Sequence, residues 1–483
     1  MLDDEAELGR FGYAQQLKRG MSGFGNFALS FSIISILTGG VSLYYWGLRF
    51  GGPYEMAVGW PIVSVMTLMV GISLAELASA YPTAGALYHW ATILGGPRIG
   101  WWTAWLNLIG QVAVTAGVDY AFAEFVHDAM GLPESRLWTL GIYGAVLVTH
   151  GMLNHVGIRV VTFLNELSAW YHLVGTALLI GALLWLAPMQ PTSFLLRKFV
   201  APSDGGVVYP FYYACLVGLL QAQWTFTGYD ASAHVAEETK GAQEAAPRGI
   251  VNAVWVSAVV GFFMLAVVTL AIKDLGATAA AKNPFIYVIQ TALGGRLGAV
   301  MVWMVIGAMW FCGLSSVTSN SRMLFAFARD GGAPGSSALA RISERWRTPA
   351  VAIWVCVATA FVLAIWSRAY NVIVSISTIG FYVSYGIPIL LALRARRRGA
   401  LERGPWHVGK WSTSINLVAV IWIAFITILF MLPPNQLTGY TFGGALLLLT
   451  IYYFAWARRH FEGPPALKRL REAANATRTR EVS

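Results

Sequence analysis

The stretch WTFTGYDASAHVAEETKG, residues 224–241, begins as an apolar helix and then places a glycine, an aspartate and three further charged side chains in quick succession. Asp230 is a candidate counter-ion for a cationic group. Gly228 marks a break, because glycine gives up more backbone freedom in a helix than any other residue. A break inside an apolar segment bares peptide groups. Free N–H groups at the start of a half-helix suit a carboxylate. Free C=O groups at the end of one suit an ammonium. A zwitterionic amino acid presents both charges. A second stretch, FALSFSIISILTGGVSLYYWG at 27–47, has Ser35, Thr38, Gly39 and Gly40 at its centre. The bland alternative is a pair of glycine kinks used for close helix packing.

Other groups that could carry chemistry stand nearby in sequence. Glu237 and Glu238 follow Asp230 at a helix end, where the ordinary state is solvation. A gate pairing one of them with Arg322 or Arg329 is the sharper reading. Those arginines are seven residues apart and so lie near one helical face. The sequence does not assign the pairs. His172 falls near the middle of an apolar run, where it is either a proton acceptor or a core histidine satisfied by one partner. Cys215, Cys312 and Cys356 stand singly in apolar runs, without metal or disulfide spacing. No nucleotide-binding, zinc-hydrolase or serine-hydrolase fingerprint is present, and no cofactor is expected.

The elements that must hold these residues are membrane spans. The 483-residue chain is 57% hydrophobic and 12% charged, with 20 tryptophans, a residue favoured at membrane interfaces. Twelve segments are predicted, at 24–46, 55–78, 98–126, 137–154, 160–187, 211–235, 250–272, 297–320, 349–366, 371–393, 413–432 and 438–457. The formal charge of +10 follows topology rather than nucleic-acid binding. Lys18 and Arg19, the arginines at 329–347, those at 394–403 with Lys410, and those at 458–471 with Lys468 fall on one side of twelve spans. Both termini are then cytoplasmic. Glycine-interrupted first and sixth spans sit at corresponding positions of two five-span blocks, the best sequence pointer to a transporter's binding site.

Four stretches carry a family resemblance: GFGNFALSFSIISILTGG at 23–40, ELASAYPTAGALYHWATILGG at 76–96, QWTFTGYDASAHVAEET at 223–239 and SVTSNSRMLFAFARDGGAPGS at 316–336. With them the chain resembles the amino acid–polyamine–organocation permeases, within the branch of amino acid, choline and GABA transporters. The resemblance implies an all-α membrane protein of twelve helices, a LeuT-like five-plus-five inverted repeat with two added helices. It implies a cytoplasmic tail at 1–20, a core at 21–393 with repeats at about 21–190 and 205–393, two further spans at 394–457, and a basic tail at 458–483. It implies secondary transport by alternating access, in the plasma membrane or a bacterial inner membrane.

By position, the resemblance places substrate against Ile36, Leu37, Thr38, Gly39 and Gly40, and against Phe226, Thr227, Gly228, Tyr229 and Asp230. Trp224 matches the aromatic that covers substrate, and Asn107 and Gln111 are the polar candidates of the third span. In similar permeases the acid at Asp230 often serves gating or helix coupling, so its contact with substrate stays open. His172, Glu237 and Arg322 are the coupling or gating candidates; similar permeases place a lysine near His172. Ser315, Ser316 and Ser319 offer oxygens to sodium, but a protonated His172 would repel it, which favours a coupling proton or exchange. The expected cargo is a small amino acid or GABA-like amine. Choline, ethanolamine or a polyamine is the alternative, with Trp224, Phe226, Tyr229 and Phe381 as a possible aromatic cage. A channel or a structural membrane protein is the remoter reading.

Overall fold

In the computed structural model, which describes residues 4–202, 206–366 and 370–465, the chain is helical almost throughout. A short α1 (Asp4–Arg10) precedes an extended strap. The first apolar run forms α2 (Gly23–Ile34), α3 (Gly39–Ser42) and α4 (Tyr44–Phe50). Then come α5 (Trp60–Ala80), α6 (Leu87–Gly95), α7 (Pro97–Ala129), α8 (Arg136–Val156) and α9 (Ile158–Leu186). The run containing Asp230 is divided into α10 (Phe211–Gly218), α11 (Leu220–Thr225) and α12 (Ala231–His234). They are followed by α13 (Ala242–Leu270), α14 (Leu275–Ala280), α15 (Pro284–Leu293), α16 (Gly295–Arg329) and α17 (Ser336–Leu339). The chain closes with α18 (Ala350–Trp366), α19 (Tyr370–Arg397), α20 (Ser412–Leu429) and α21 (Gln436–Tyr452).

The ends of these helices follow local chemistry. Ser22 caps α2 by accepting from Gly25 N–H at 2.9 Å, and Asn283 caps α15 by accepting from Ile286 N–H at 3.1 Å. Proline opens α7 and α15, where its missing N–H costs nothing. α5 lies along α13, and α7 along both α16 and α19. Apolar side chains such as Val70, Val254 and Phe381 pack between them, while Phe163, Trp170 and Trp185 of α9 and Leu447 and Leu448 of α21 point outward. Such apolar outer faces suit hydrocarbon rather than water.

The predicted count of twelve spans, and with it the five-plus-five arrangement with two added helices, is overturned. Among the described residues, eight helices are long and apolar enough to cross a membrane. They overlap the predicted segments 24–46, 55–78, 160–187, 250–272, 297–320, 371–393, 413–432 and 438–457. The other four fall short for physical reasons. α7 carries Arg98, Asn107, Gln111 and Asp119, and α8 carries His150, Asn154 and His155. The 211–235 segment is cut into pieces of eight, six and four residues. α18 has 17 residues. The protein is an all-α, multi-span membrane protein with about eight such helices among the described residues. Of the predicted C-terminal tail, residues 466–483 lie outside the described residues, and with them Lys468, Arg469 and Arg471.

Glu76, near the end of α5, ties that helix to the last third of the chain. Its carboxylate accepts from Arg396 of α19 at 2.9 Å, from Val408 N–H at 3.1 Å and from the Ser412 hydroxyl. Glu76→Ala is expected to lower thermal stability in detergent by roughly 1–3 kcal/mol, because it leaves a half-buried guanidinium and an N–H without an acceptor. An unchanged melting temperature would show that these bonds do not hold α5 in place.

Candidate functional site

The first break is built on a serine. α2 stops at Ile34, and Ser35 takes φ +35°, in the left-handed region, with its N–H bonded to Phe31 O at 3.0 Å. Its hydroxyl lies 2.6 Å from Thr38 Oγ1 and 2.6 Å from His172 Nε2. His172 Nδ1 stands 2.8 Å from Ser168 O, an acceptor only, so Nδ1 carries the hydrogen. In the neutral ring Nε2 then accepts from Ser35, and Ser35 accepts from Thr38. Ile36, Leu37 and Thr38 lie in the break, whereas Gly39 and Gly40 open α3. A Cβ on Gly39 would come within 2.7 Å of the Thr225 backbone, so glycine lets α3 press against α11.

The second break falls at 226–230. α11 ends at Thr225 and Gly228 takes φ +78°. A side chain there would also overlap Ile33 of α2. The bared backbone is met by groups from other helices. Tyr382 donates to Phe226 O at 2.7 Å, Ser30 donates to Tyr229 O at 2.8 Å, and Gly228 N–H donates to the Tyr385 hydroxyl at 3.3 Å. Trp224 Nε1–H donates to Ser377 at 3.0 Å. The two breaks are neighbours: Gln221 donates across to Gly40 O at 3.0 Å. Among the described residues, the N–H groups of Ile36, Leu37, Thr227 and Tyr229 donate to no backbone carbonyl.

Asp230 is fully buried and held from three helices. It accepts from Tyr385 of α19 at 2.7 Å and from Asn107 of α7 at 3.2 Å, and it faces His234 of α12 at 3.1 Å. Asn107 also bonds Ser384, at 3.3 Å, and its carbonyl oxygen has no partner among the described residues. Gln111 turns elsewhere, donating to Ser319 of α16 at 2.9 Å. The Ser315 hydroxyl hydrogen is shared between Asn165 Oδ1 and Phe311 O, and Ser316 donates to Cys312 O. Ser30 and His234 lie in stretches that carry the family resemblance but are not singled out there, and Ser377, Tyr382 and Tyr385 lie outside all four stretches. The named cage candidate Phe381 packs on Tyr385 instead. Among the described residues no three His, Cys, Asp or Glu side chains gather as a metal site.

Beyond α12 both predicted acids form buried ion pairs. Glu237 is bound by both terminal nitrogens of Arg329, each at 2.8 Å, and also accepts from Ala84 N–H at 3.1 Å. Glu238 pairs with Arg322 at 2.9 Å. Glu237 and Arg322, the gating candidates, therefore meet different partners, Glu237 with Arg329 and Arg322 with Glu238. Burial would raise the Glu237 carboxyl, but the charge and hydrogen bonds of Arg329 outweigh it and hold it below the ordinary carboxylate range. The strap closes over this loop. Gly20 and Met21 N–H groups bond Glu238 O at 3.0 and 2.9 Å, and Lys240 N–H returns a bond to Met21 O at 3.0 Å. Arg19 reaches Thr239 O at 2.5 Å, and Tyr13 donates to Asp330 at 2.7 Å while its ring lies 3.9 Å from the Arg329 guanidinium.

Comparison with known proteins finds matches along nearly the whole chain. A family model described as amino acid permease matches residues 22–456. The chain is 37% identical over 500 residues to amino-acid permease BAT1 of Arabidopsis thaliana, covering 95% of this chain and 96% of that one. It is 35% identical over 496 residues to the BAT1 homolog of Oryza sativa subsp. japonica, covering 95% of each. It is 28% identical over 487 residues to amino-acid permease 2 of Neurospora crassa, covering 95% of this chain and 88% of that one.

Arg329→Gln leaves the Glu237 carboxylate buried without its charge partner and is expected to destabilise the protein by roughly 3–5 kcal/mol at neutral pH. The depressed carboxyl sets the sign of the pH dependence. Its contribution is complete above the unfolded carboxylate pKa of about 4.3 and is lost as pH falls through the folded value. The melting-temperature gap between wild type and variant should therefore hold from neutral pH down to about 4.3 and narrow as pH falls below it. A gap that is constant with pH would contradict this assignment.

Proposed function

The chain belongs to the amino acid permease family, and from that premise we propose that it carries a small amino acid bound between its two helix breaks, with a proton as coupling ion. It is a secondary transporter and not an enzyme. The observation that carries the site is the pairing of the breaks: two interrupted helices lie side by side with N–H groups left over. In hydrocarbon such groups cost several kcal/mol each if unmet, so they line a cavity or meet a ligand. We assign the substrate carboxylate to the N–H groups of Ile36, Leu37, Thr227 and Tyr229, with Thr38, Gly39 and Gly40 framing the first break and Phe226 and Gly228 the second. Trp224 covers the cargo. Asp230 and Asn107 act by holding α7, α12 and α19 together rather than as a free counter-ion, since Asp230 already meets Tyr385, His234 and Asn107. Gln111 supports α16.

His172 is the proposed proton acceptor, and its bonds supply the mechanism. A proton on Nε2 turns that atom from acceptor to donor. The Ser35 hydroxyl must then accept from it and give its own hydrogen elsewhere, which reorders the Ser35–Thr38 bond. The turn carrying Ile36 and Leu37 thus feels the proton directly. The ion pairs of Glu237 and Glu238, under the strap, form the inner gate.

The inner face is proposed to be cytoplasmic. Lys18 and Arg19 lie with the strap on the 236–240 loop, and Arg10 reaches Glu402 in the basic 394–410 connection at 3.5 Å. These positive segments share one end of the bundle, as cytoplasmic loops do. A cysteine at Gln16, an exposed position, should resist an impermeant thiol reagent in intact cells and react after permeabilisation. Reaction in intact cells would reverse the orientation.

Uptake into proteoliposomes tests substrate and coupling together. Small amino acids should compete with one another, while choline, ethanolamine and putrescine should not. Accumulation should follow an imposed proton gradient. His172→Gln keeps hydrogen-bonding capacity without a titratable proton, and should retain binding but lose gradient-driven accumulation. A variant that accumulates with wild-type pH dependence would make His172 a packing residue; competition by the amines alone would displace the substrate assignment.

A further inference from the structure

A second titratable pair lies inside the bundle, apart from both breaks. Asp119 of α7 and His150 of α8 are fully buried, with Oδ2 and Nδ1 3.2 Å apart. Asp119 Oδ1 and His150 Nε2 have no hydrogen-bond partner among the described residues. α16 closes the site. A side chain on Gly313 would overlap Asp119 Oδ1, so glycine leaves the space in which that oxygen sits. The ring of Trp310 covers the imidazole at 5.3 Å.

The titratable groups around the pair are Tyr143 of α8, Tyr120 of α7, which packs on Tyr143, and Cys312 of α16. α19 adds Tyr370, stacked on Tyr120, and α18 brings only Cys356, which answers to Arg322 instead. No lysine or arginine bonds either member among the described residues. A carboxylate with a neutral imidazole is therefore a net negative charge without a counter-ion. One added proton makes the pair neutral as a unit, which is the state low dielectric favours.

The pair also has a route to the breaks. Cys312, next to Gly313, donates its thiol to Ile33 O at 3.2 Å, and the same thiol faces the hydroxyls of Ser35 and Thr38. Ile33 is the residue against Gly228. A shift of α16 that opens the Asp119–His150 pair thus pulls on both interrupted helices.

We propose that Asp119 and His150 form a second proton-binding site, distinct from His172, that takes one proton as a unit and surrenders it when α16 moves. The proton comes from water on one side of the membrane, binds at His150 Nε2 or Asp119 Oδ1, the atoms the pair leaves without a partner among the described residues, and returns to water on the other. No other bond forms or breaks. The inference rests on the proton-coupled reading above.

The test is the proton-to-substrate ratio of the full chain in proteoliposomes, read from the substrate gradient that balances a known pH gradient. The Asp119→Asn/His150→Gln double variant keeps a hydrogen-bonded pair of near-native shape but binds no proton. It should exchange substrate normally and move one proton fewer per substrate than wild type. An unchanged ratio overturns the proposal while leaving coupling intact. A wild type that moves no proton with substrate defeats the coupled reading itself. Where the double variant does not fold, His150→Gln alone serves: it leaves Asp119 to bind the proton by itself, and a shifted pH midpoint of uptake is expected. A midpoint at the wild-type value overturns the proposal.

Discussion

A peptide group inside hydrocarbon must have a partner, and much of the inner structure follows from that constraint. Two helices give up their internal bonds, at 35–38 and 226–230. Once they do, other parts of the chain must answer. Tyr382 takes on Phe226 O, Ser30 takes on Tyr229 O, and Gln221 reaches Gly40 O. The first break also draws His172 inward to bind Ser35. Each of these side chains would be an odd polar choice on a buried helix face. Together they answer carbonyls that the two breaks expose.

The same constraint extends to charge. Asp230, Glu237 and Glu238 lie within nine residues, and all three are buried. Each is matched from another helix: Asp230 by Tyr385 and Asn107, the glutamates by Arg329 and Arg322. Removing one partner from such a pair is costly, whereas moving both together is not. These contacts tie α16 to the 236–240 loop, and the strap to both.

The sequence made some of this legible and hid the rest for physical reasons. Gly228 could be read because a positive φ favours glycine, and the break is where that residue stands. The first break could not be placed by glycine, because Ser35 takes the left-handed turn and Gly39 serves a close approach to Thr225 instead. The span count failed where polar residues interrupt α7 and α8 and where the helix before Asp230 divides. Acids and arginines were visible, but their pairing was not: adjacent glutamates point to opposite ends of two helical turns of α16, which only the packed structure decides. The tyrosines of α19 lie some 155 residues from the groups they serve, as the Gly228–Tyr385 separation of 157 shows. Asp119 and His150 are 31 residues apart on separate helices, so no local spacing joins them.

The strap's hold on the loop at 238–240 is made largely by main-chain atoms. Glu238 O receives two N–H groups, and Lys240 N–H returns one to Met21 O. Recognition of this kind does not read side chains. Exchanging the residues at 20 and 21 for most others would leave those donors in place, and only proline would delete one of them. The contact is thus insulated from sequence drift in a way that an ion pair is not. It behaves as a short zipper whose grip depends on register, so a one-residue insertion or deletion in the strap would undo more than nearly any replacement of its side chains.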